Sequence, residues 1–267
     1  MTPGAITPGA ITRVFITGAS SGIGAALARE YAAQGASLGL VARRRDVLCA
    51  LVAQLPNPDR HKVYVLDVTD HAALAAAAHD FIACHGGADI VIASAGVSGG
   101  TLTEYPEDQR TFDTILATNV NATVATFAPF IASMKTQATE RRLVGIGSVA
   151  GIRGLPGAGA YSASKAAVLC YCESLRIELR ASGIRVVTIA PGYIATPMTA
   201  QNAYPMPFLM PAPRFAAAAV WAIARADSYR VIPWQMGVVA KLLRMLPNWL
   251  YDAAFSRAPH KARKELA

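Results

Sequence analysis

The chain has 267 residues, 53% of them hydrophobic and only 16% charged, with a net charge of +8. That much apolar surface excludes an intrinsically disordered chain, and the length fits one layered domain with a large core. No stretch reaches the ~18 uninterrupted apolar residues of a bilayer span, since His79, Asp80, Arg225 and Lys241 break the alanine-rich segments, so an integral membrane protein is not expected.

Residues 1–11 carry Thr-Pro-Gly-Ala-Ile twice, without a basic start or a sustained apolar run. They read as a flexible N-terminal segment and not as a signal peptide. From Thr12 onward, short runs rich in Val, Ile and Leu at 14–17, 38–41, 63–66, 90–93, 143–146 and 186–189 alternate with longer stretches of helical period. Strands apolar on both faces belong in a parallel sheet covered by helices, and right-handed crossovers then give a doubly wound α/β fold. Residues 12–267 form a single domain in this reading. Cys49, Cys84, Cys170 and Cys172 are sparse, and the last two sit one residue apart in a helical pattern, facing different ways. No disulfide framework or zinc site follows, which makes the reducing cytoplasm the expected location.

Directly after the first strand comes Thr17-Gly18-Ala19-Ser20-Ser21-Gly22-Ile23-Gly24, opening a helical run. Glycines let a pyrophosphate approach the main chain, and the helix start aims free N–H groups at it. Between a first strand and a first helix, such a turn predicts a dinucleotide site. At the end of the second strand, Arg43-Arg44-Arg45 stand where NAD-binding chains place an acidic residue for the ribose hydroxyls. Three positive charges at a helix start oppose its dipole, at ~0.3–1 kcal/mol each. An anion there accounts for them, and the 2′-phosphate of NADP is the natural choice. Asp67-Val68, after the third strand, offers a contact to the adenine amino group; a turn or capping role for Asp67 stands beside it.

Further along, Asn119, Ser148, Tyr161 and Lys165 fall where the chain returns to the C-terminal edge of the sheet. Tyr-x-x-x-Lys puts two side chains on one helix face, and a lysine charge favours phenolate. Lowering a tyrosine pKa by ~3 units needs about 4 kcal/mol, which a positive nicotinamide ring would help supply. Taken in order, Thr17-Gly18-x-x-x-Gly22-x-Gly24, Asn119, Ser148, Tyr161-x-x-x-Lys165 and Pro191-Gly192 strongly resemble the short-chain dehydrogenase/reductase family over about 12–198.

The resemblance implies a Rossmann-like fold and an NAD(P)-dependent oxidoreductase in which Tyr161 is the general acid or base and Ser148 bonds the substrate oxygen. Lys165 would hold the nicotinamide ribose and tune the tyrosine, and Asn119 would support a water linking lysine to solvent. Ile194 and Thr196 would meet the nicotinamide carboxamide, and Arg43 matches a position tied to NADP preference. One departure is Ala93-Ser94-Ala95-Gly96 where the family usually has Asn-Asn-Ala-Gly. Ala95 and Gly96 keep their place beside the cofactor, and a small effect on packing near Ser94 is expected.

Beyond the motifs, 202–215 is rich in Pro, Met and aromatic residues and is expected to form a lid over an apolar substrate, within a substrate loop spanning 197–225. A helix about 215–225 and a short strand near Val231 follow. The helix at 161–182 is apolar on more than one side, so a second face needs a partner; the resemblance implies pairing through it and the helix carrying Asn119, hence a homodimer or homotetramer, with burial beneath the C-terminal segment as the competing explanation. In the C-terminal extension, 235–267, apolar residues recur at helical spacing on either side of Pro247. From Val238 to the end, Lys241, Arg244, Arg257, Lys261, Arg263 and Lys264 face only Asp252 and Glu265. Packing beside the cleft is one reading, and peripheral contact with an anionic membrane is the other. Nothing predicts nucleic-acid binding or a metal site. Two competing functions are a silent NADP-binding sensor or scaffold and a membrane-surface protein.

Overall fold

The computed structural model describes residues 12–202, 204–256, 258 and 261–263; the repeated pentapeptide and the basic residues Arg257 and Lys264 lie outside them. Each apolar run became a strand: β1 Arg13–Thr17, β2 Ser37–Ala42, β3 Lys62–Val65, β4 Ile90–Ala93, β5 Arg142–Ile146, β6 Arg185–Pro191 and, after a two-stranded ribbon of β7 Ile194–Ala195 and β8 Met210–Pro211, the strand β9 Tyr229–Ile232. They build one seven-stranded parallel sheet in the order β3-β2-β1-β4-β5-β6-β9. The order reverses between β1 and β4, which opens a crevice at the C-terminal strand ends where doubly wound sheets bind ligands.

Strand alternation divides the core in two. Val14, Ile16, Leu38 and Leu40 point to helices α1 Gly22–Ala33, α2 Arg45–Ala53 and α7 Ala212–Ala224. Phe15, Val41, Val91 and Leu143 point to α3 His71–His85, α5 Ala122–Thr136 and α6 Gly159–Glu178. Helix α4 Asp108–Leu116 runs into α5 through a π-turn at Ala117–Asn121. The combined helix Asp108–Thr136 is long and apolar enough to cross a membrane by composition alone, yet here it covers the sheet and buries Asn119, Thr123 and Thr126.

At the opposite, N-terminal edge, Arg13 grips Asp89 through Nε and Nη2 at 2.9 and 2.6 Å, and the Thr139 hydroxyl donates to the same carboxylate at 2.7 Å. Burial works to raise the Asp89 pKa; the bonds from Arg13 and Thr139 outweigh it and hold the carboxyl below its ordinary value.

The C-terminal extension forms α8 Trp234–Met245 and α9 Asn248–Phe255, with Pro247 just before the second helix. Arg153 donates to the carbonyls of Leu243 at 3.1 Å and Leu246 at 3.0 Å and to Asn248 Oδ1 at 3.1 Å, while its guanidinium covers the Tyr251 ring. A cation on the last carbonyls of α8 suits the negative end of that helix.

Two expected boundaries move. The segment expected as a lid ends early, because Met210–Pro211 pairs with Ile194–Ala195 and Phe215 is a fully buried residue of α7; among the described residues only about 197–209 is loop. Helix α6 begins two residues before Tyr161 and ends at Glu178, followed by a 3-10 turn at Arg180–Ser182.

Candidate active site

Register brings the C-terminal ends of β1, β4, β5 and β6 level, since Thr17 lies opposite Ala93, Ala93 opposite Gly145, and Ile146 opposite Ile189. The chain leaving each of those ends lines one cleft of about 700 Å³. Gly18, Ser20, Ser21, Gly22, Ile23 and Gly24 form one wall, and Arg43, Arg44, Asp67 and Val68 close one end. Ala95, Gly96, Ser148, Tyr161, Lys165, Pro191, Gly192, Ile194 and Thr196 line the rest. Asn119 is buried just behind this wall, 1% exposed.

These residues fit a dinucleotide. Helix α1 starts without a side-chain cap and without an acidic residue in its first turn, which leaves backbone donors and positive dipole facing the cleft. Gly18 has φ +70°, and a Cβ there would lie 2.7 Å from Ala95 Cα, so the turn and the chain after β4 touch only because no side chain intervenes. Thr17 secures that contact, its hydroxyl accepting from the N–H groups of Ser94 and Ala95 at 3.2 and 3.3 Å. The Ser94 departure is therefore absorbed by its backbone. Among the described residues, no group of three or more His, Cys, Asp or Glu is placed to hold a metal ion.

Of the three arginines after β2, Arg43 and Arg44 line the cleft. Arg44 donates to Ser20 Oγ at 3.0 Å, tying the glycine turn to the end of β2. Arg43 is exposed and its guanidinium is 3.5 Å from Asp67 Oδ2. Asp67 Oδ1 accepts from the N–H and hydroxyl of Thr69 at 2.9 and 2.7 Å, so this oxygen serves the turn. Burial would raise the Asp67 pKa; Thr69 and Arg43 together bring it below its ordinary value. Asp70, three residues on, caps α3 through the Ala73 N–H.

At the other end, Ser148 and Tyr161 both line the cleft, and Ser148 Oγ accepts from the Ala150 N–H at 3.1 Å. Lys165 Nζ donates to the Ile146 carbonyl at 2.9 Å and lies 5.8 Å from the Tyr161 ring centroid. Burial pushes the Tyr161 phenol above its ordinary pKa, and Ser148 pulls only partly against it. Burial takes Lys165 down to about 8. The expectation that Lys165 lowers the tyrosine is thus not met by the protein groups alone: the ammonium is spent on a main-chain oxygen and is itself short of solvation.

Asn119 is more firmly engaged than its expected water-holding role requires. Its Oδ1 accepts from the Val97 N–H at 2.8 Å, and its Nδ2 donates to the Val97 carbonyl at 3.0 Å and to Ser164 Oγ at 2.9 Å. The Ser164 hydroxyl in turn donates to the Tyr161 carbonyl at 2.8 Å. The π-turn thereby presents a carboxamide that staples the chain after β4 to the tyrosine-bearing turn of α6, a use of π-turns common at functional sites.

Sequence reasoning missed Ser164, whose spacing from Tyr161 was visible, and Thr199, which accepts from the Thr196 N–H at 3.0 Å and so fixes that residue. It also missed Met236, whose Cγ lies 2.6 Å from where a Cβ on Gly192 would be, setting α8 directly behind the Pro191-Gly192 turn.

A phosphate cradle at the switch point of a parallel sheet, with a Ser–Tyr–Lys group at its far end, defines a nicotinamide-dependent oxidoreductase of the Rossmann type. Comparison with known proteins agrees. The family model described as short chain dehydrogenase matches residues 12–205. An uncharacterized oxidoreductase of Myxococcus xanthus (strain DK1622) is 39% identical over 244 residues, 91% of this chain and 95% of that one. Among solved structures, a short-chain dehydrogenase from Streptomyces avermitilis superposes with a TM-score of 0.78 at 25% identity, covering 92% of this chain and 99% of the other. Levodione reductase does so with a TM-score of 0.74 at 28% identity, covering 84% and 97%. The chain belongs to the short-chain dehydrogenase family and is an oxidoreductase that moves hydride between a nicotinamide cofactor and a carbonyl or alcohol.

Proposed function

We propose that this enzyme is an NADP(H)-dependent reductase of a carbonyl carried by an apolar substrate. The observation that carries the cofactor choice is the pair Arg43 and Arg44 at the cleft end, with Ser20 beside them and no acidic residue at the end of β2. A bound NADPH supplies the hydride. The chain's own residues do the rest: Ser148 bonds the carbonyl oxygen and Tyr161 donates its proton to it. Burial keeps that phenol protonated at neutral pH, the state reduction needs. Lys165 holds the ribose, and the Asn119 clamp keeps the turn bearing Tyr161 in place. Tyr193 and Tyr204 pack edge to face at 6.3 Å, and with Met198 and Phe208 they supply apolar contact on the loop we assign as a lid.

The test is consumption of NADPH and NADH across acyl, steroid and quinone carbonyls and small polar ketones. At least one apolar carbonyl should be reduced, with a higher kcat/KM for NADPH. Preference for NADH would overturn the cofactor assignment, preference for small polar ketones the lid, and no consumption with any carbonyl would favour a silent NADP-binding sensor.

We also propose a homo-oligomer and a peripheral membrane contact for a cytoplasmic enzyme, whose described cysteines are all free. On α6, Val168 and Leu175 face the sheet whereas Ile177 is 65% exposed, leaving an outer face for a second copy. On α8, Trp234, Val238, Leu242 and Met245 form one exposed stripe continuing to Trp249, beside Lys241 and Arg244. Light scattering at micromolar concentration should find a dimer or tetramer; a monomer rejects it. The same sample should pellet with anionic vesicles at low salt and not with neutral ones, and absence from every pellet removes the membrane role.

A further inference from the structure

A second cation reaches Tyr161 from the far end of the chain. Residues 261–263 lie along the loop after β4: the Gly100 N–H donates to the Ala262 carbonyl at 3.1 Å, and Gly100 and Arg263 form a parallel bridge. Arg263 anchors this strap. It meets Glu107 at 2.7 Å and Asp108 at 2.9 Å, and its guanidinium lies 3.6 Å from the Tyr105 ring centroid. Gly100 is buried, and its backbone is outside the left-handed region, so a side chain there would be tolerated but for the strap. A Cβ would collide with the Lys261 carbonyl and sit 2.7 Å from that of Ala262.

The anchored strap turns Lys261 inward. Its Nζ donates to Ser98 Oγ at 2.9 Å and lies 6.0 Å from the Tyr161 ring centroid, nearly the distance kept by Lys165. Arg263, two residues on, has two carboxylates; Lys261 has none among the described residues. Burial lowers the Lys261 pKa, as expected for an ammonium drawn out of water toward a neutral hydroxyl. Removing a charge from water without an opposite charge is costly, and an anion brought beside it recovers that cost.

We propose that Lys261 and Ser98 bind an anionic group, a carboxylate or a phosphate, that the substrate carries close to its reacting carbonyl. The proposal rests on the carbonyl-reductase reading above and adds a charged end to the apolar substrate. The experiment compares 4-oxopentanoate with its methyl ester, in NADPH consumption and in calorimetric binding to the enzyme–NADP⁺ complex. Wild type should favour the acid. Lys261→Gln should lower the acid-to-ester ratio of kcat/KM about 10- to 100-fold, the worth of one hydrogen bond to a charged group, and Lys261→Arg should keep it. Gly100→Ala, which displaces the strap and leaves the lysine in the chain, should lower the same ratio. Tighter use of 3-oxobutyl phosphate than of the acid would assign phosphate, and the reverse carboxylate. Acid binding that fails in wild type, or a ratio unchanged in Lys261→Gln, overturns the anion site. If neither probe consumes NADPH but acid binding still requires Lys261, the anion site stands and the reductase reading loses support.

Discussion

Tyr161→Phe is expected to fold, to bind NADPH as wild type does, and to lose turnover by about 10²–10⁴-fold or more. The substitution removes one oxygen from the first turn of α6 and leaves the Asn119–Ser164 staple, which holds that turn by its main-chain carbonyl, intact. Lys165 keeps its bond to the Ile146 carbonyl. What disappears is the proton and half of the Ser148–Tyr161 pair. The wild-type reduction rate should hold through neutral pH and fall in alkali, because a general acid stops working as it deprotonates and burial has moved this one upward. Paired measurements of NADPH affinity and single-turnover rate decide the matter, and near-wild-type turnover in the variant would remove Tyr161 from the chemistry.

The second large effect is on cofactor choice. Arg43→Asp should weaken NADPH about 10- to 100-fold and NADH far less, since it deletes a charge-assisted contact to the 2′-phosphate and substitutes repulsion. Arg43 suits this role because it is exposed at the cleft end and its protein contact is a long one, 3.5 Å to Asp67. Arg44, by contrast, is already committed to Ser20, so replacing it would loosen the glycine turn as well. Michaelis constants for the two cofactors, measured side by side, test the assignment; equal changes would mean that Arg43 does not read the phosphate.

Much of this architecture was legible because parallel strands buried on both faces leave continuous apolar runs, and a phosphate turn leaves glycines at fixed offsets. The run 90–93 is β4 without change, and 143–146 needed one more residue at its start to become β5. The site was legible as a set of positions but not as a set of contacts. Asp67 could be placed at a strand end, whereas its use of Oδ1 for Thr69 depends on the turn that Thr69 makes. Asn119 read as a helical residue; the π-turn that swings its carboxamide onto Val97 has no signature in spacing. The protein groups alone do not give the tyrosine the expected environment, because Tyr-x-x-x-Lys spacing fixes a helix face and says nothing about the Ile146 carbonyl that claims the ammonium. Lys261 was read as one charge in a basic tail. Its distance in sequence from Ser98, across 163 positions, is a contact that local patterning cannot encode.

The Arg153 clamp gives the molecule a division of labour along its length. By holding the end of α8, Arg153 fixes the helix whose Met236 stands behind Gly192, and among the described residues Thr199 is the last that lines the cofactor cleft. Helices α8 and α9 therefore shape the reacting end from outside, as a buttress shapes a wall. Helices α8 and α9 meet the reacting end at the Pro191-Gly192 turn and at Arg153 and Gly154, a few residues after Ser148, whereas the opposite end of the cleft is built from the chain after β1, β2 and β3. Such a molecule is able to change what it reduces without relearning how to hold its coenzyme.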